Sequence, residues 1–342
     1  MTTLVFAPNW LGDAVMALPA LADIRRDEHT GRMLVAARPA VAGLMEIVPG
    51  IDGVVQLAGR GGLSSLRHHA GDVRAIADAH ADVAILFPNS VHAALLASRA
   101  GIGRRCGYRR DFRGGLLTRA VPRPGTPLHQ VDYYRQLVAA LGCANGPREP
   151  QLDLAPGDVD AARALLNAAG WAPDRRLVGI APGAAYGGAK RWAAARFAAV
   201  IAGLASAMPT TAVLVGSAAD IGATCAIEAE LGKISGQARS TVVNLAGRTD
   251  IRQLAGVMAL CRAFVSNDSG AMHLAAAVGV PVVALFGPTD PGATAPVGRR
   301  SATILTAPAW CRPCMLRECP LDHRCMTGIG AAEVMRAVED QN

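Results

Sequence analysis

The residues best suited to bind a small ligand stand together at positions 268–273, directly after a short apolar run. Asp268, Ser269 and Gly270 form a polar turn, and His273 follows one turn into a helical pattern. In open α/β sheets, ligands bind at the carboxyl ends of strands, and a helix N-terminus offers free backbone N–H groups to anions. The next predicted strand, 281–286, also ends in a polar turn. The spacing therefore predicts a cleft for a small anionic or sugar ligand.

A second turn, 181–192, again separates a predicted strand from a predicted helix. Its glycines, such as Gly183, allow backbone N–H groups to approach phosphate oxygens, and Lys190 adds a positive charge. The chain has only one other lysine, Lys233, among many arginines, so an ammonium at position 190 is notable. The turn is neither a Walker A loop nor a G-x-G-x-x-G fingerprint, which argues against ATP hydrolysis and NAD chemistry. The alternative is a flexible loop with an exposed lysine.

A carboxylate near the amino terminus is a candidate general base. Asp13 follows the first predicted strand and stands at the start of a predicted helix, next to Asn9, Trp10 and Gly12. Because a sugar hydroxyl is barely acidic at neutral pH, its attack requires removal of the proton as the new bond forms. The same position also suits an aspartate that caps the helix N-terminus.

Two further strand ends in the second half could complete a nucleotide pocket. Asp220 stands where a carboxylate could bind ribose hydroxyls, and the turn containing Gly247 and Thr249 could line the base. Either segment also reads as an ordinary strand-to-helix turn.

Four cysteines cluster near the carboxyl terminus, at Cys311, Cys314, Cys319 and Cys325. Four thiolates could hold a structural zinc or iron ion. However, the spacing differs from that of paired zinc knuckles, so reduced thiols that pack a compact loop remain the alternative.

Arginine is concentrated in one stretch, 99–123, which contains eight arginines and a single acid, Asp111. Such a stretch could meet an anionic partner such as a phosphorylated lipid or a membrane face, or it is simply a solvated loop. Only Tyr108 and Phe112 are interleaved as aromatics, which is too few for base stacking. Nucleic acid is therefore not expected as a partner.

Alternating strand and helix patterns run through both halves and predict two doubly wound parallel sheets. A Gly-, Pro- and Asn-rich stretch near 142–157 marks the boundary, so we predict domains at 1–155 and 156–342. The last helix, near 331–340, either stays with the second domain or packs back on the first. No apolar run reaches the ~20 residues of a membrane span, and the first residues do not read as a signal peptide. We therefore expect a cytosolic protein.

Taken together, these motifs resemble the ADP-heptose:lipopolysaccharide heptosyltransferases, and most closely their type II branch. The likeness rests on Asn9-Trp10-Leu11-Gly12-Asp13, on Pro182-Gly183 through Lys190-Arg191-Trp192, on Asn267 through His273 with Phe286 through Thr289, and on the cysteine cluster. The resemblance implies an α/β GT-B fold with two Rossmann-like domains facing across a cleft. It implies that the N-terminal domain binds the acceptor and that the C-terminal domain binds ADP-heptose.

The resemblance also implies an inverting transfer that requires no cofactor or catalytic metal. Asp13 would deprotonate the acceptor hydroxyl, and Lys190 would stabilise charge on the departing diphosphate. His273 would either contact phosphate or brace the turn. The implied donor site contains Gly183, Ala184, Ala185, Lys190, Asp220, Gly247, Thr249, Asp268, Ser269, Gly270 and His273. The implied acceptor site contains Asn9, Trp10, Gly12, Arg109, Arg110 and Arg113.

The implied partners are ADP-L-glycero-D-manno-heptose and a Kdo-lipid A core acceptor, with heptose transferred to the first heptose of heptosyl-Kdo2-lipid A. The implied location is peripheral, at the cytoplasmic face of the inner membrane. Other acceptors stay open: the first Kdo, an outer-core sugar, or a protein. A nucleotide-sugar epimerase and a non-catalytic nucleotide-sugar binder also stay open.

Overall fold

The computed structural model describes residues 1–58, 63–234 and 241–341. The chain divides into two compact units, Met1–Asp153 and Leu154–Asn342. This division lies two residues before the boundary expected from composition.

The first unit is a parallel sheet with helices. Its strands are β1 Thr2–Phe6, β2 Arg32–Ala37, β3 Gly53–Gln56, β4 Val83–Leu86, β5 Arg104–Tyr108 and β6 Arg119–Val121. Its helices are α1 Leu11–Met16, α2 Leu18–Arg26, α3 Pro39–Met45, α4 Leu63–Ala77, α5 Val91–Arg99 and α6 Gln130–Ala140.

The second unit repeats this plan. Its strands are β7 Arg176–Ala181, β8 Thr210–Leu214, β9 Val242–Asn244, β10 Ala263–Asn267, β11 Val282–Phe286 and β12 Thr303–Thr306. Its longer helices are α7 Pro156–Ala168, α8 Ala194–Ala207, α9 Ile221–Ile234, α10 Ile251–Ala259 and α11 Gly270–Val278. Three helices follow them: α12 Pro291–Thr294, α13 Arg324–Thr327 and α14 Ala331–Glu339.

Both sheets have the same strand order. The first runs β3-β2-β1-β4-β5-β6, and the second runs β12-β11-β10-β7-β8-β9. When the second unit's strands are counted from β7, its order is also 3-2-1-4-5-6, the order of the Rossmann fold. Every described pairing is parallel. The prediction of two Rossmann-like α/β domains is confirmed, and each has a switch point between its first and fourth strands.

Continuous apolar runs form the central strands, because both faces of a parallel sheet are covered by helices. All five residues of β10 are buried, and so are all five of β11. Val265 and Val283 join one apolar cluster with Ile180 from β7 and Phe197 from α8. This core fixes the strand ends that carry the polar turns.

The first helical region is divided into two helices. The sequence predicts one helix from about Asp13 to Arg26, but the structure has two, α1 and α2, separated at Ala17. Pro19 lies in the first turn of α2, and proline has no N–H with which to continue the hydrogen-bond ladder of α1. The helix also begins two residues earlier than predicted, at Leu11.

The last helix, α14, packs on the second unit. Val334 and Val338 are buried in the same cluster as Phe197. Gly203 of α8 permits the close approach, since a Cβ there would lie 2.4 Å from the Met335 methyl group. Of the two placements left open by the sequence, these contacts support the one within the second unit. No helix among the described residues is long and apolar enough to cross a membrane.

Candidate active site

The switch point of the second sheet holds a buried cluster of charged and polar side chains. Asp268 follows β10, Lys190 ends the turn after β7, and Thr289 follows β11. Asp268 Oδ2 accepts hydrogen bonds from Lys190 Nζ at 2.5 Å and from Thr289 Oγ1 at 2.6 Å. The Lys190 side chain is 12% exposed and that of Asp268 is 5% exposed. The cluster therefore places a cation and an anion together at the carboxyl ends of the strands, where ligands bind in this fold class.

Asn267 ties the turn after β7 to the end of β10. It is fully buried, and its Nδ2 donates to the Pro182 carbonyl at 2.7 Å while its Oδ1 accepts from the Trp192 N–H at 3.2 Å. These hydrogen bonds pair backbone groups at both ends of the 182–192 turn. They therefore stabilise the backbone conformation of the turn that carries Lys190.

An aromatic ring also positions Lys190. The Lys190 ammonium lies 4.7 Å from the centre of the Tyr186 ring, within the range of a cation–π contact. The Tyr186 hydroxyl donates to the Met315 carbonyl at 2.6 Å. Lys190 is thus a packed and partnered side chain, which argues against the alternative of a flexible loop with an exposed lysine.

The cysteine segment, residues 311–325, braces this turn from the other side. Gly188 N–H donates to Glu318 Oε1, and Ala189 N–H donates to the Arg317 carbonyl, both at 2.9 Å. At Gly187, a Cβ would lie only 2.3 Å from the Arg317 oxygen. The sequence gave no sign of these contacts, because they join residues about 130 positions apart.

The four cysteines of this segment line one small cavity together with His323. All four are free thiols. Burial and the neighbouring cysteines raise the pKa of Cys325. Across the described part of the chain, no group of three or more His, Cys, Asp or Glu side chains is arranged to hold a metal ion. As placed, these side chains do not fit the zinc or iron ion that the sequence left as a possibility.

The turn after β10 leads into α11 as expected. Ser269 is the N-cap residue and Gly270 is the first helical residue. Ser269 Oγ lies 3.0 Å from Ser266 Oγ. His273 is only 4% exposed, and this burial favours the alternative in which His273 braces the turn.

The remaining predicted donor residues line neighbouring turns of the second unit. Gly183 lies against Asp220, since a Cβ on Gly183 would fall 2.2 Å from Asp220 Oδ1. Asp220 Oδ2 accepts from the backbone and hydroxyl of Ser217 at 2.9 and 2.8 Å. Asp220 is therefore engaged in its own turn, one of the two roles anticipated for it.

Four other predicted donor residues differ in exposure. Gly247 has φ +70° and packs over this turn against Ala218. Ala184 is buried, whereas Ala185 is exposed and Thr249 is half-buried.

In the first unit, Asp13 lies within the first turn of α1, and the N-cap residue is Trp10. The structure thus places Asp13 two positions beyond the start of the helix instead of at the N-cap. Asp13 is half-buried. Burial, and secondarily the nearby charge of Asp13, raises the pKa of the Tyr134 hydroxyl. A carboxylate therefore lies close to a buried phenol at the end of β1.

The other predicted acceptor residues near Asp13 are accessible to solvent to different degrees. Asn9 is exposed, Gly12 is half-buried and Trp10 is 58% exposed. A small cavity beside Asn9 is also lined by Arg38 and His92, which the sequence analysis did not single out. Burial, followed by the charges of His69 and Arg38, lowers the pKa of His92.

The arginine-rich stretch separates into exposed and structural members. Arg109 and Arg110 are exposed, but Arg113 is completely buried. Arg113 donates to the carbonyls of Tyr108 and Pro88 and to Asn89 Oδ1. The acceptor contact expected of Arg113 conflicts with this burial, so we omit it from the acceptor site that we propose. Its function is to hold the turn after β4 against the end of β5.

With this geometry established, comparison with known families is informative. The sequence profile of glycosyltransferase family 9 (heptosyltransferase) matches residues 73–324. This chain belongs to that family.

Relatives of this heptosyltransferase cover nearly all of its length. Lipopolysaccharide heptosyltransferase 2 of Salmonella typhimurium is 30% identical over 315 residues, which cover 89% of this chain and 88% of that protein. Lipooligosaccharide heptosyltransferase 2 of Haemophilus ducreyi is 30% identical with the same coverage. The solved structure of E. coli ADP-heptose lipopolysaccharide heptosyltransferase II superposes with a TM-score of 0.84 at 27% identity, over 100% of this chain and 98% of that one. The two α/β units thus have the GT-B fold, as expected.

Proposed function

We propose that this heptosyltransferase moves L-glycero-D-manno-heptose from ADP-heptose to the first heptose of heptosyl-Kdo2-lipid A. The observation that carries the proposal is the Lys190–Asp268–Thr289 cluster at the switch point of the second sheet. It supplies a cation for phosphate and a carboxylate for sugar hydroxyls. The names of the relatives at 30% identity support the same acceptor class.

At the donor, Lys190 and the backbone N–H groups near Gly183 stabilise the negative charge that grows on the departing ADP. Asp268 accepts hydrogen bonds from heptose hydroxyls. Ser269, Gly270 and the start of α11 bind phosphate through backbone N–H groups. The Asp268 carboxylate holds Lys190 by a direct ion pair.

At the acceptor, Asp13 is the general base in an inverting, single-displacement reaction. The acceptor oxygen forms a bond to the anomeric carbon as the bond from that carbon to the diphosphate oxygen breaks. The hydroxyl proton passes to Asp13, and the bonding electron pair leaves with ADP.

The exposed arginines suit an anionic acceptor. Arg109 and Arg110 precede Phe112 by three and two residues, and the Phe112 side chain is fully exposed. Kdo carboxylates and lipid A phosphates provide the opposite charge, and an exposed ring next to cations suits the surface of an anionic membrane. We therefore propose a peripheral location at the inner leaflet, where surface charge mainly raises the rate of encounter.

The experiment that tests this function measures ADP release from ADP-heptose. Kdo2-lipid A and heptosyl-Kdo2-lipid A are offered separately to the wild type and to Asp13→Ala. We expect release only with the heptosylated acceptor and only with Asp13 present. Asp13→Ala should bind ADP within about threefold of the wild type, a difference below about 1 kcal/mol.

Other outcomes would change the assignment. Release with Kdo2-lipid A alone moves the enzyme one transfer earlier. Release of ADP with neither lipid but with a protein acceptor indicates a different acceptor class. A large loss of ADP affinity in Asp13→Ala contradicts its assignment as the base.

A further inference from the structure

A second concave region lies at the opposite edge of the second sheet from the Lys190 cluster. It is a cavity of about 780 Å³ at the amino ends of β7, β10 and β11. Arg176 begins β7, Arg262 immediately precedes β10, and Pro281 immediately precedes β11. Nothing in the proposed transfer reaction uses this edge.

Arginines dominate the lining of this cavity. They are Arg163, Arg175, Arg176, Arg262 and Arg300, and the lining also contains one acid, Asp174. None of the five forms an ion pair with a carboxylate of the described chain. Five guanidinium groups and one carboxylate around one cavity leave an excess of positive charge, which attracts anions. Arg175 also donates to the Thr210 carbonyl at 2.9 Å and to Thr211 Oγ1 at 3.2 Å.

Arg176 lies in the wall of this cavity, with part of its guanidinium group enclosed by protein. Its Nε is buried and has no hydrogen-bond partner. Its Nη2 donates to the Val338 carbonyl at 3.3 Å. Burial and the charge of Arg262 lower the pKa of Arg176, whereas the charge of Glu339 raises it.

We propose that this cavity, the arginine pocket, binds a ligand that carries two or more phosphate groups. Guanidinium groups bind phosphate oxygens through paired, charge-assisted hydrogen bonds, and several arginines can share one polyanion. The arginine pocket is a second anion site, separate from the donor site at the other end of the same strands.

The simplest competing explanation is that these arginines stabilise helix C-termini, which carry partial negative charge. The ends of α10 and α11 do line the cavity, at Ala259 and Val278. However, of the five arginines, the contacts among described residues bring only Arg176 to a carbonyl in the last turn of a helix, α14. Arg175 instead holds the start of β8, through Thr210 and Thr211. Helix capping therefore does not account for Arg163, Arg262 and Arg300, whose side chains are exposed.

The test uses inorganic pyrophosphate as the probe and isothermal titration calorimetry as the readout, with ADP present in saturating amount to occupy the donor site. The variant is Arg262→Gln/Arg300→Gln, which changes two exposed side chains. The matched control is Arg74→Gln/Arg299→Gln, which removes the same charge from exposed arginines outside the cavity. We expect the variant to lose at least about tenfold in affinity and the control less than about twofold.

A second measurement distinguishes the sources of phosphate. Phosphatidylcholine vesicles with and without cardiolipin, whose headgroup carries two phosphates, are mixed with the same proteins. Vesicle binding that requires Arg262 and Arg300 assigns a lipid headgroup, whereas pyrophosphate binding alone assigns a soluble ligand. Trp171 lines the cavity and is 7% exposed, so a change in its fluorescence that Trp171→Phe abolishes locates the bound anion.

Two results would overturn the proposal. One is equal affinity for pyrophosphate in the variant, the control and the wild type. The other is a variant that melts at a lower temperature while its anion binding is unchanged, as expected if the arginines only stabilise helices. Neither result bears on heptose transfer, which the Asp13 experiment tests separately.

Discussion

The two sheets have the same strand order, but they differ in how polar residues are held at the carboxyl ends of their strands, here called the edge of each sheet. In the second unit, Asp268, Lys190 and Asn267 are buried and bonded to one another or to the backbone. In the first unit, Asn9 and Trp10 are exposed to solvent. A pre-organised edge suits a small donor of fixed shape, whereas an open edge suits a large, variable acceptor. The proposed donor site is thus held by buried hydrogen bonds, whereas the proposed acceptor site is exposed.

The comparison predicts that changes in the second edge cost stability as well as activity. Asp268→Asn leaves the Lys190 ammonium without its charged partner at a site that is 12% exposed. We expect a loss of about 3 kcal/mol in the free energy of unfolding, together with loss of transfer. Urea unfolding and ADP release measure the two effects. Asp290→Asn, at an exposed helix cap nearby, is the control and should change stability little.

The first edge should behave in the opposite way. Trp10→Ala is expected to raise the acceptor KM about tenfold, or about 1.4 kcal/mol, while the free energy of unfolding changes by less than about 0.5 kcal/mol. Steady-state kinetics with a varied acceptor provide the measurement. Trp310→Ala removes another exposed tryptophan, 77% exposed in the second unit, and should leave KM unchanged. A drop in stability equal to that of Asp268→Asn would erase the contrast between the edges.

A smaller effect tests how Tyr186 positions Lys190 and its turn. Tyr186→Phe removes the hydrogen bond to the Met315 carbonyl but keeps the ring beside the ammonium. We expect a stability loss of about 1 kcal/mol and a modest fall in kcat. Tyr186→Leu removes the ring as well and should lower kcat further. Equal kcat values for the two variants would show that the ring does not position Lys190.

The smallest effect concerns pH at the first edge. The fold lowers the pKa of His92 through burial and neighbouring positive charge, so the unfolded chain binds a proton more readily. Stability should therefore fall as pH drops below the ordinary histidine pKa of about 6.5. His92→Gln should remove less than about 1 kcal/mol of this pH dependence, whereas His68→Gln, at an exposed position, should leave it intact. Unfolding curves at several pH values measure the difference.

The sequence predicted the second edge well because its signals are local. A buried strand, a polar turn and a helix start follow one another at Asp268, and the same pattern repeats at Lys190. The division between α1 and α2 at Ala17 has a local signal in Pro19. However, the apolar periodicity on both sides of Ala17 favours one continuous helix.

The features that were missed depend on contacts between distant residues. Arg113 looks like its exposed neighbours in sequence, yet it is buried because carbonyls of Tyr108 and Pro88 accept its hydrogen bonds. Asn89 was not singled out for the same reason, and Thr289 was noted only as part of a motif. The roles of the cysteine segment also emerge only in three dimensions, where Arg317 and Glu318 meet the Lys190 turn.

The close contact between Gly187 and the Arg317 carbonyl limits how this enzyme can evolve. Because the backbone carbonyl of Arg317 occupies the space of a side chain at position 187, a substitution of Gly187 is tolerated only when the cysteine segment shifts. Since any residue at position 317 carries the same carbonyl, glycine is expected at position 187 wherever the cysteine segment is retained. Lineages that lose the cysteine segment should be free to replace the glycine.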